Sequence, residues 1–167
     1  MRREAVDWSV VDVFFGDERV VPVESDDSNE GMARRMLLDH VSPRAVHSMV
    51  AAGADAYDTL VRQTPPIDVV HLGLGPDGHT ASLFPGTKAL AERDRFVVEN
   101  GDGAHPHRRL TFTFPAIERA SLAVVTVAGD DKREPIRRIR AGEDLPAARI
   151  RARKVLWLGD RAALGAD

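Results

Sequence analysis

Cysteine is absent from the 167 residues, which excludes disulfides and thiolate-bound metals and fits a reducing compartment. Lysine is scarce: of 23 basic residues only Lys88, Lys132 and Lys154 are lysine, so an arginine at any one position carries less information than usual. There is no surplus of positive charge either. The formal net charge is −3, which provides no overall basic field for nucleic acid. No apolar run approaches the roughly 20 residues that span a bilayer, and the charged start MRREAVDW has no apolar signal core behind it. What remains is an ordinary globular composition, 43% hydrophobic and 29% charged, long enough to bury a core as one domain over residues 1–167. The expectation is a cytoplasmic protein, a monomer or weak homo-oligomer, with neither membrane nor nucleic acid as partner.

Hydrophobic periodicity gives an alternation of strands and helices. Val10 to Phe15 (VVDVFF) reads as a buried strand, followed by a charged turn, Gly16-Asp17-Glu18-Arg19. Asp27 and Glu30 suggest a capping box for a helix from Ser28 to His40, with Met32, Ala33, Met36, Leu37 and Val41 as its apolar face. Ala54 to Gln63 is a second helix, closed by Thr64-Pro65-Pro66. Further strands are expected at Ile67–Leu74, Arg95–Glu99, Arg109–Phe114, Leu122–Ala128 and Lys154–Leu158, the third of these with one wet face. Short helices are expected at Pro115–Ala120 and Arg133–Ala141. The fold class is α/β, a mostly parallel sheet with helices on both faces and one antiparallel pair near Arg95–Phe114.

The segment Ile67–Pro85, IDVVHLGLGPDGHTASLFP, carries the chemistry. An apolar run ends in a glycine-rich loop holding Asp77 and His79, before what reads as a short helix from Thr80 to Pro85. Gly73 to Gly78 fits the dinucleotide pattern G-x-G-x-x-G, but Pro76 removes one amide and Asp77 adds a charge that repels phosphate. The side chains offer a different reading. His79 could act as a general base, since imidazole ordinarily titrates near neutrality, with Asp77 orienting its ring and the amides of Gly78 to Ala81 receiving an oxyanion or phosphate. Equally, His79 caps the helix and Asp77 bonds turn amides.

Two other strand ends carry charge. Arg19 suits bidentate contact with phosphate or carboxylate, and Lys132, after Asp130-Asp131, supplies a point charge. Arg108 and Arg109 begin another strand. His105 and His107 lack a third ligand at metal-binding spacing. In a parallel sheet the loops after VVDVFF, VVHLGL and LAVVTVA emerge at one edge, so base, arginine and lysine share a crevice suited to a small anion.

The strings FFGDERVVP, DDSN, LGLGPDGHTASLFPG, RLTFTFPAIERA and VAGDDK together resemble the 6-phosphogluconolactonases of the pentose phosphate pathway, in that family's order and over nearly the whole chain. The related glucosamine-6-phosphate deaminases share the Asp-Gly-His element but continue to F-N-E-P, where this chain has Ser82-Leu83-Phe84-Pro85. The resemblance implies a Rossmann-like fold and hydrolysis of a phosphorylated sugar lactone, 6-phosphogluconolactone, without metal or organic cofactor. It implies His79 as general base, Asp77 as its partner, and Arg19, Lys132 and Arg109 as phosphate and sugar contacts, with Gly78 in the substrate loop. The family also carries an N-terminal βα unit with a Gly-Gly-Ser-Thr-type loop, and nothing of that kind precedes Val10. The expectation is therefore a fold truncated at its N-terminus relative to the family, with a weaker hold on phosphate. The alternatives are a deaminase-like enzyme with Asp17 as carbon-acid base, or an inactive homologue.

Overall fold

Thirteen helices and strands organise the computed structural model, which describes residues 6–165. The charged start Met1–Ala5, expected to carry no leader core, lies outside the described residues. In chain order the elements are β1 (Asp12–Phe14), β2 (Asp17–Arg19), α1 (Asn29–Met36), β3 (Ala45–His47), α2 (Met49–Gln63), β4 (Val69–Leu72), β5 (Val97–Asn100), β6 (Arg109–Phe112), α3 (Phe114–Glu118), β7 (Leu122–Val127), α4 (Arg133–Arg140), β8 (Val155–Gly159) and α5 (Arg161–Leu164).

The strands form three ladders: β1 with β3, β4-β7-β8, and β2-β6-β5. The first two are parallel and the third antiparallel. Strand β7 has neighbours on both edges, and its Ala123, Val125 and Val127 are buried with Val124 on the opposite face, as a central parallel strand requires. Among the described residues no ladder joins β1 to β4.

Buried polar side chains tie these pieces together. The Tyr57 hydroxyl accepts the Phe15 N–H at 2.8 Å and lies 3.2 Å from the His47 carbonyl, fixing α2 against β1 and β3; burial pushes its phenol well above the usual value. Asp58, one residue on, accepts the N–H groups of Phe96 and Val97 and a bond from Arg62, joining α2 to the start of β5. Glu18 is 1% exposed. Its carboxylate accepts the N–H groups of Arg19, Asn29 and Glu30 and the Ser28 hydroxyl, so the otherwise unpaired amides of a helix N-terminus end on a charge.

Several sequence expectations are corrected. VVDVFF is a strand only over Asp12–Phe14, and it is half-buried because a ladder forms on one edge alone. The charged turn at Asp17–Arg19 is the strand β2, since Glu18 points inward to anchor α1 and so gives the segment an alternating pattern. Helix α1 is capped by Ser28, whose hydroxyl accepts the Gly31 N–H, rather than by Asp27. Its regular part ends at Met36, and Met32, Met36 and Leu37 stay exposed. The residues around His47 contain β3, and α2 is broken at Gly53, whose φ of +76° is not helical, so a short turn behind the Ser48 cap precedes the expected helix from Ala54 to Gln63. Strand β6, expected to have a wet face, is buried on both, because α2 and α3 contact it and Ser82 covers Thr111. Thr80 to Pro85 is not helical: Thr80 and Leu83 form an isolated bridge and Ala81 has φ +48°. The antiparallel pair near Arg95–Phe114 is present as β5-β6, within an α/β fold of mostly parallel strands.

Candidate active site

Strands β1 and β4 and the segment after β7 end at one edge, where a cleft of about 400 Å³ is lined by Gly16, Asp17, Arg19, Gly73, His79 and Lys132, among others. The expected convergence of three strand-end loops is thus present, because parallel strands place their C-terminal loops together.

The central loop is built to hold one imidazole. Strand β4 ends at Leu72, and the Thr80 hydroxyl donates to the Gly73 carbonyl while the Gly75 N–H donates to the His79 carbonyl. The chain therefore turns back over Gly75, and the His79 ring rests against that glycine's Cα. A Cβ on Gly75 would lie 2.1 Å from Cε1 and Nδ1 of the ring. Only glycine fits such an approach, so the glycine in the apparent nucleotide fingerprint makes room for a side chain. Asp77 Oδ1 accepts the His79 N–H at 3.0 Å and contacts Nδ1 at 2.6 Å. Ionised Asp77 can only accept, so Nδ1 carries the proton and Nε2 presents a lone pair. Desolvation raises the Asp77 carboxyl, but the bonds and charge of His79 outweigh it and leave it below the ordinary carboxylate range. Phe84 meets the ring edge-on at 4.9 Å and His105 at 5.5 Å between centroids.

The amides read as an oxyanion site are partly committed. The Gly78 N–H donates to the Gly75 carbonyl and that of His79 to Asp77. Gly78 does not line the cleft. Its φ is +88°, and a Cβ there would meet Leu145 at 2.8 Å, so it serves the turn.

The opposite wall is cationic. Arg19 and Arg109 face each other across the β2–β6 ladder, a pairing of like charges that is unfavourable by itself. Arg19 donates to the Asp27 carbonyl at 2.6 Å and Arg109 to the Pro106 carbonyl at 3.2 Å, yet each keeps a buried Nε–H without a partner among the described residues. Arg109 is 7% exposed, and burial followed by the charge of Arg19 lowers its guanidinium from the ordinary value. It lies behind Arg19 rather than on the cleft wall. Lys132 does line the cleft and contacts Asp131 at 2.8 Å.

Two participants were not given a role from sequence, and a third, His105, was considered only as a metal ligand. Ser82 donates to Asp17 Oδ2 at 2.8 Å, linking the central loop to β2. Asn29 donates to the Asp17 carbonyl at 3.0 Å, bringing the start of α1 to the cleft. His105 joins Asp102 at 2.8 Å and stacks on Phe84 at 4.4 Å. Ser82 and Asn29 gave no signal because each is placed by a contact distant in sequence, and His105 reaches the site through its distant stacking on Phe84. Burial pushes the Asp17 carboxyl above its usual value, against the Ser82 hydrogen bond and the charges of Arg19 and Arg109. Among the described residues no group of three or more histidines and carboxylates has the arrangement of a metal site, and His107 bonds Asp27 rather than His105.

Comparison with known proteins gives a consistent set of relatives. The profile for glucosamine-6-phosphate isomerases/6-phosphogluconolactonase matches residues 1–157. The chain is 39% identical to a 6-phosphogluconolactonase from Synechocystis, covering 98% of this chain and 76% of that protein. It is 38% identical to one from Mycobacterium tuberculosis, covering 96% and 74%. Among solved structures, the 6-phosphogluconolactonase of Thermotoga maritima superposes with a TM-score of 0.80 at 26% identity, covering 94% of this chain and 76% of that one. The enzyme from Trypanosoma brucei gives 0.77 at 30% identity, covering 91% and 72%. A monomeric glucosamine-6-phosphate deaminase shares the fold, with a TM-score of 0.69 at 20% identity and coverage of 88% and 71%.

Proposed function

Since the chain belongs to the glucosamine-6-phosphate isomerase/6-phosphogluconolactonase family, we propose that it hydrolyses 6-phospho-D-glucono-1,5-lactone to 6-phosphogluconate, with His79 as the general base. The observation that carries this reading is the Asp77–His79 pair: a 2.6 Å contact at Nδ1 leaves Nε2 as the basic nitrogen of a ring that lines the cleft.

In this mechanism Nε2 removes a proton from water as the water oxygen bonds to the lactone carbonyl carbon. The tetrahedral intermediate collapses by breaking the bond to the ring oxygen, which takes the proton back from His79 and becomes a hydroxyl. The product is a carboxylic acid that keeps its phosphate and releases its remaining proton to solvent, leaving the carboxylate. Asp77 holds the ring in one tautomer and stabilises the imidazolium formed between the two steps. Arg19 and Lys132 grip the phosphate, and Arg109 adds charge from behind; the unmet Nε–H donors of the two arginines support an anion at this wall.

The test is hydrolysis of freshly prepared lactone, corrected for its spontaneous opening. His79→Ala is expected to lose about a hundredfold or more in kcat, and a variant as fast as the parent chain overturns the assignment. A second reading rests on Asp17, a carboxyl in the same cleft raised by burial. Such a group is suited to abstract a carbon-bound proton, as a deaminating isomerase requires. Ammonia release from glucosamine 6-phosphate without lactone turnover would replace the first reading by this one.

A further inference from the structure

The loop between β5 and β6, residues 101–108, reaches the reacting imidazole from outside the cleft. Its centre is a second Asp–His pair. Asp102 Oδ2 contacts Nδ1 of His105 at 2.8 Å, and Oδ1 accepts the N–H groups of Ala104 and His105 at 3.0 and 2.9 Å. The N–H and ring of His105 and the N–H of Ala104 outweigh desolvation and hold the Asp102 carboxyl at about 2. It is therefore ionised near neutrality and can only accept, so Nδ1 of His105 carries the proton. The His105 ring stacks on Phe84, with centroids 4.4 Å apart and planes 18° from parallel. His79 stands 4.9 Å from Phe84 and 5.5 Å from His105, at 62° and 80° to them. Centroids at these spacings form a near-equilateral triangle, so His79 lies beside the stacked pair and touches both rings instead of resting on one.

We propose that His105, held in place by Asp102, is a positioning residue for His79, completing the enclosure that keeps the imidazole aimed at the cleft. The proposal rests on His79 being the base of the proposed reaction. Gly75 bounds the ring by close approach, Asp77 restrains Nδ1, and Phe84 belongs to the buried interior. One hydrogen bond from a residue of the same loop still lets the ring and that loop tilt together. A packed aromatic wall from a different part of the chain removes this freedom, and a base that gives and takes a proton at Nε2 depends on such fixed geometry. His105 does not line the cleft, so it acts through His79 and not on the substrate. The loop that carries it is tied down on its far side. His107 contacts Asp27 at 3.0 Å and Arg108 bonds Glu99 at 2.8 Å. His107 also has a φ of +69°, which a residue with a side chain keeps only where its surroundings require it.

The experiment is a set of variants of the full chain, read by steady-state kinetics and by nitrogen NMR of the histidine rings. His105→Ala is expected to lower kcat for fresh lactone about fivefold, the worth of a lost aromatic contact, with KM held within about twofold. Asp102→Ala should match it. Asp102→Asn keeps an acceptor for the Nδ1–H, and His105→Phe keeps the stack, so each should stay within about twofold of the parent kcat. His105 is only half-buried, so its truncation empties no core and the variant should fold. Long-range proton–nitrogen spectra are recorded at about pH 8, where imidazole is ordinarily neutral. There the His79 ring should show a single Nδ1–H tautomer in the parent and signals moved toward the mixed-tautomer average in His105→Ala. An unchanged kcat in His105→Ala, a change confined to KM, no recovery in Asp102→Asn and His105→Phe, or unmoved His79 nitrogen signals would each overturn the proposal. The spectra need no turnover, so a parent chain without lactonase activity would defeat the functional reading while the placement of the ring is still decided on its own.

Discussion

Gly75→Ala isolates the part of the site on which the proposed chemistry depends. The added Cβ would sit 2.1 Å from Nδ1 and Cε1 of His79 and 2.7 Å from Cγ, against an ordinary contact of about 3.5–4.0 Å. The ring must therefore move by more than about 1 Å, and the 2.6 Å contact to Asp77 cannot survive such a displacement. A misplacement of that size costs up to about a hundredfold in rate, about 2.7 kcal/mol in the barrier. Overpacking costs a further 1–3 kcal/mol or so of stability, roughly 2–12 °C in Tm. Steady-state hydrolysis of fresh lactone, with the spontaneous rate subtracted, should show kcat down by about two orders of magnitude. KM should hold within about threefold, because Arg19 and Lys132 come from other strand ends. Gly101→Ala, where an added Cβ meets nothing within 4 Å, is the matched control and should behave as the parent. A Gly75→Ala enzyme that is folded and keeps the parental kcat would refute both the tautomer assignment and the role of Asp77 as its anchor.

Glu18→Gln turns two donors toward Ser28 and the Glu30 N–H, where a carboxylate oxygen now accepts; thermal unfolding should show a loss of about 3 kcal/mol, or roughly 6–12 °C. Asp58 shows how pH enters: burial raises its carboxyl, but the Val97 N–H, Arg62 and the Phe96 N–H more than offset this and its net value is depressed. Its contribution is complete above the ordinary carboxylate range and is lost as pH falls through the depressed value. Asp58→Asn should therefore cost about 2 kcal/mol in urea unfolding at pH 7, with the gap to the parent closing as pH falls below about 4. A gap that stays constant from about pH 7 to about pH 3 would contradict the assignment. Arg109→Met removes one of two facing cations; KM for the lactone should rise only severalfold, because Arg109 does not line the cleft and acts through its charge, while the Tm of the ligand-free protein does not fall, and an unchanged KM would remove Arg109 from any part in holding the phosphate.

The alternation of apolar runs with helical patterns was enough to read the parallel core. Strand β7 and helices α2 and α4 lie where local periodicity places them, because their neighbours reinforce what the sequence already prefers. The readings that failed concern segments whose state is set from a distance. Asp17-Glu18-Arg19 is charged enough to be a turn, and becomes a strand only because the amides at the start of α1 need the Glu18 carboxylate. Arg109-Leu110-Thr111-Phe112 alternates like a half-wet strand, yet contacts with α2, α3 and Ser82 leave it no wet face. Thr80-Ala81-Ser82 has helical propensity but is held by the Thr80–Leu83 bridge. At the site, Asp77-Gly78-His79 was legible as an acid–base pair because its partners are two residues apart. The contribution of Gly75 was not, since a missing side chain records the need for space only once the ring above it is in position.

The bond between Ser82 and Asp17 also fixes where the imidazole stands. The Ser82 N–H donates to the Thr111 hydroxyl at 3.1 Å while its own hydroxyl donates to Asp17, so a residue three beyond His79 is anchored to β2 and β6 at once. The distance from His79 to Arg19 is therefore set by side-chain bonds between the central loop and the antiparallel ladder, and a change at Thr111, which is itself buried, reaches the imidazole through three residues of chain.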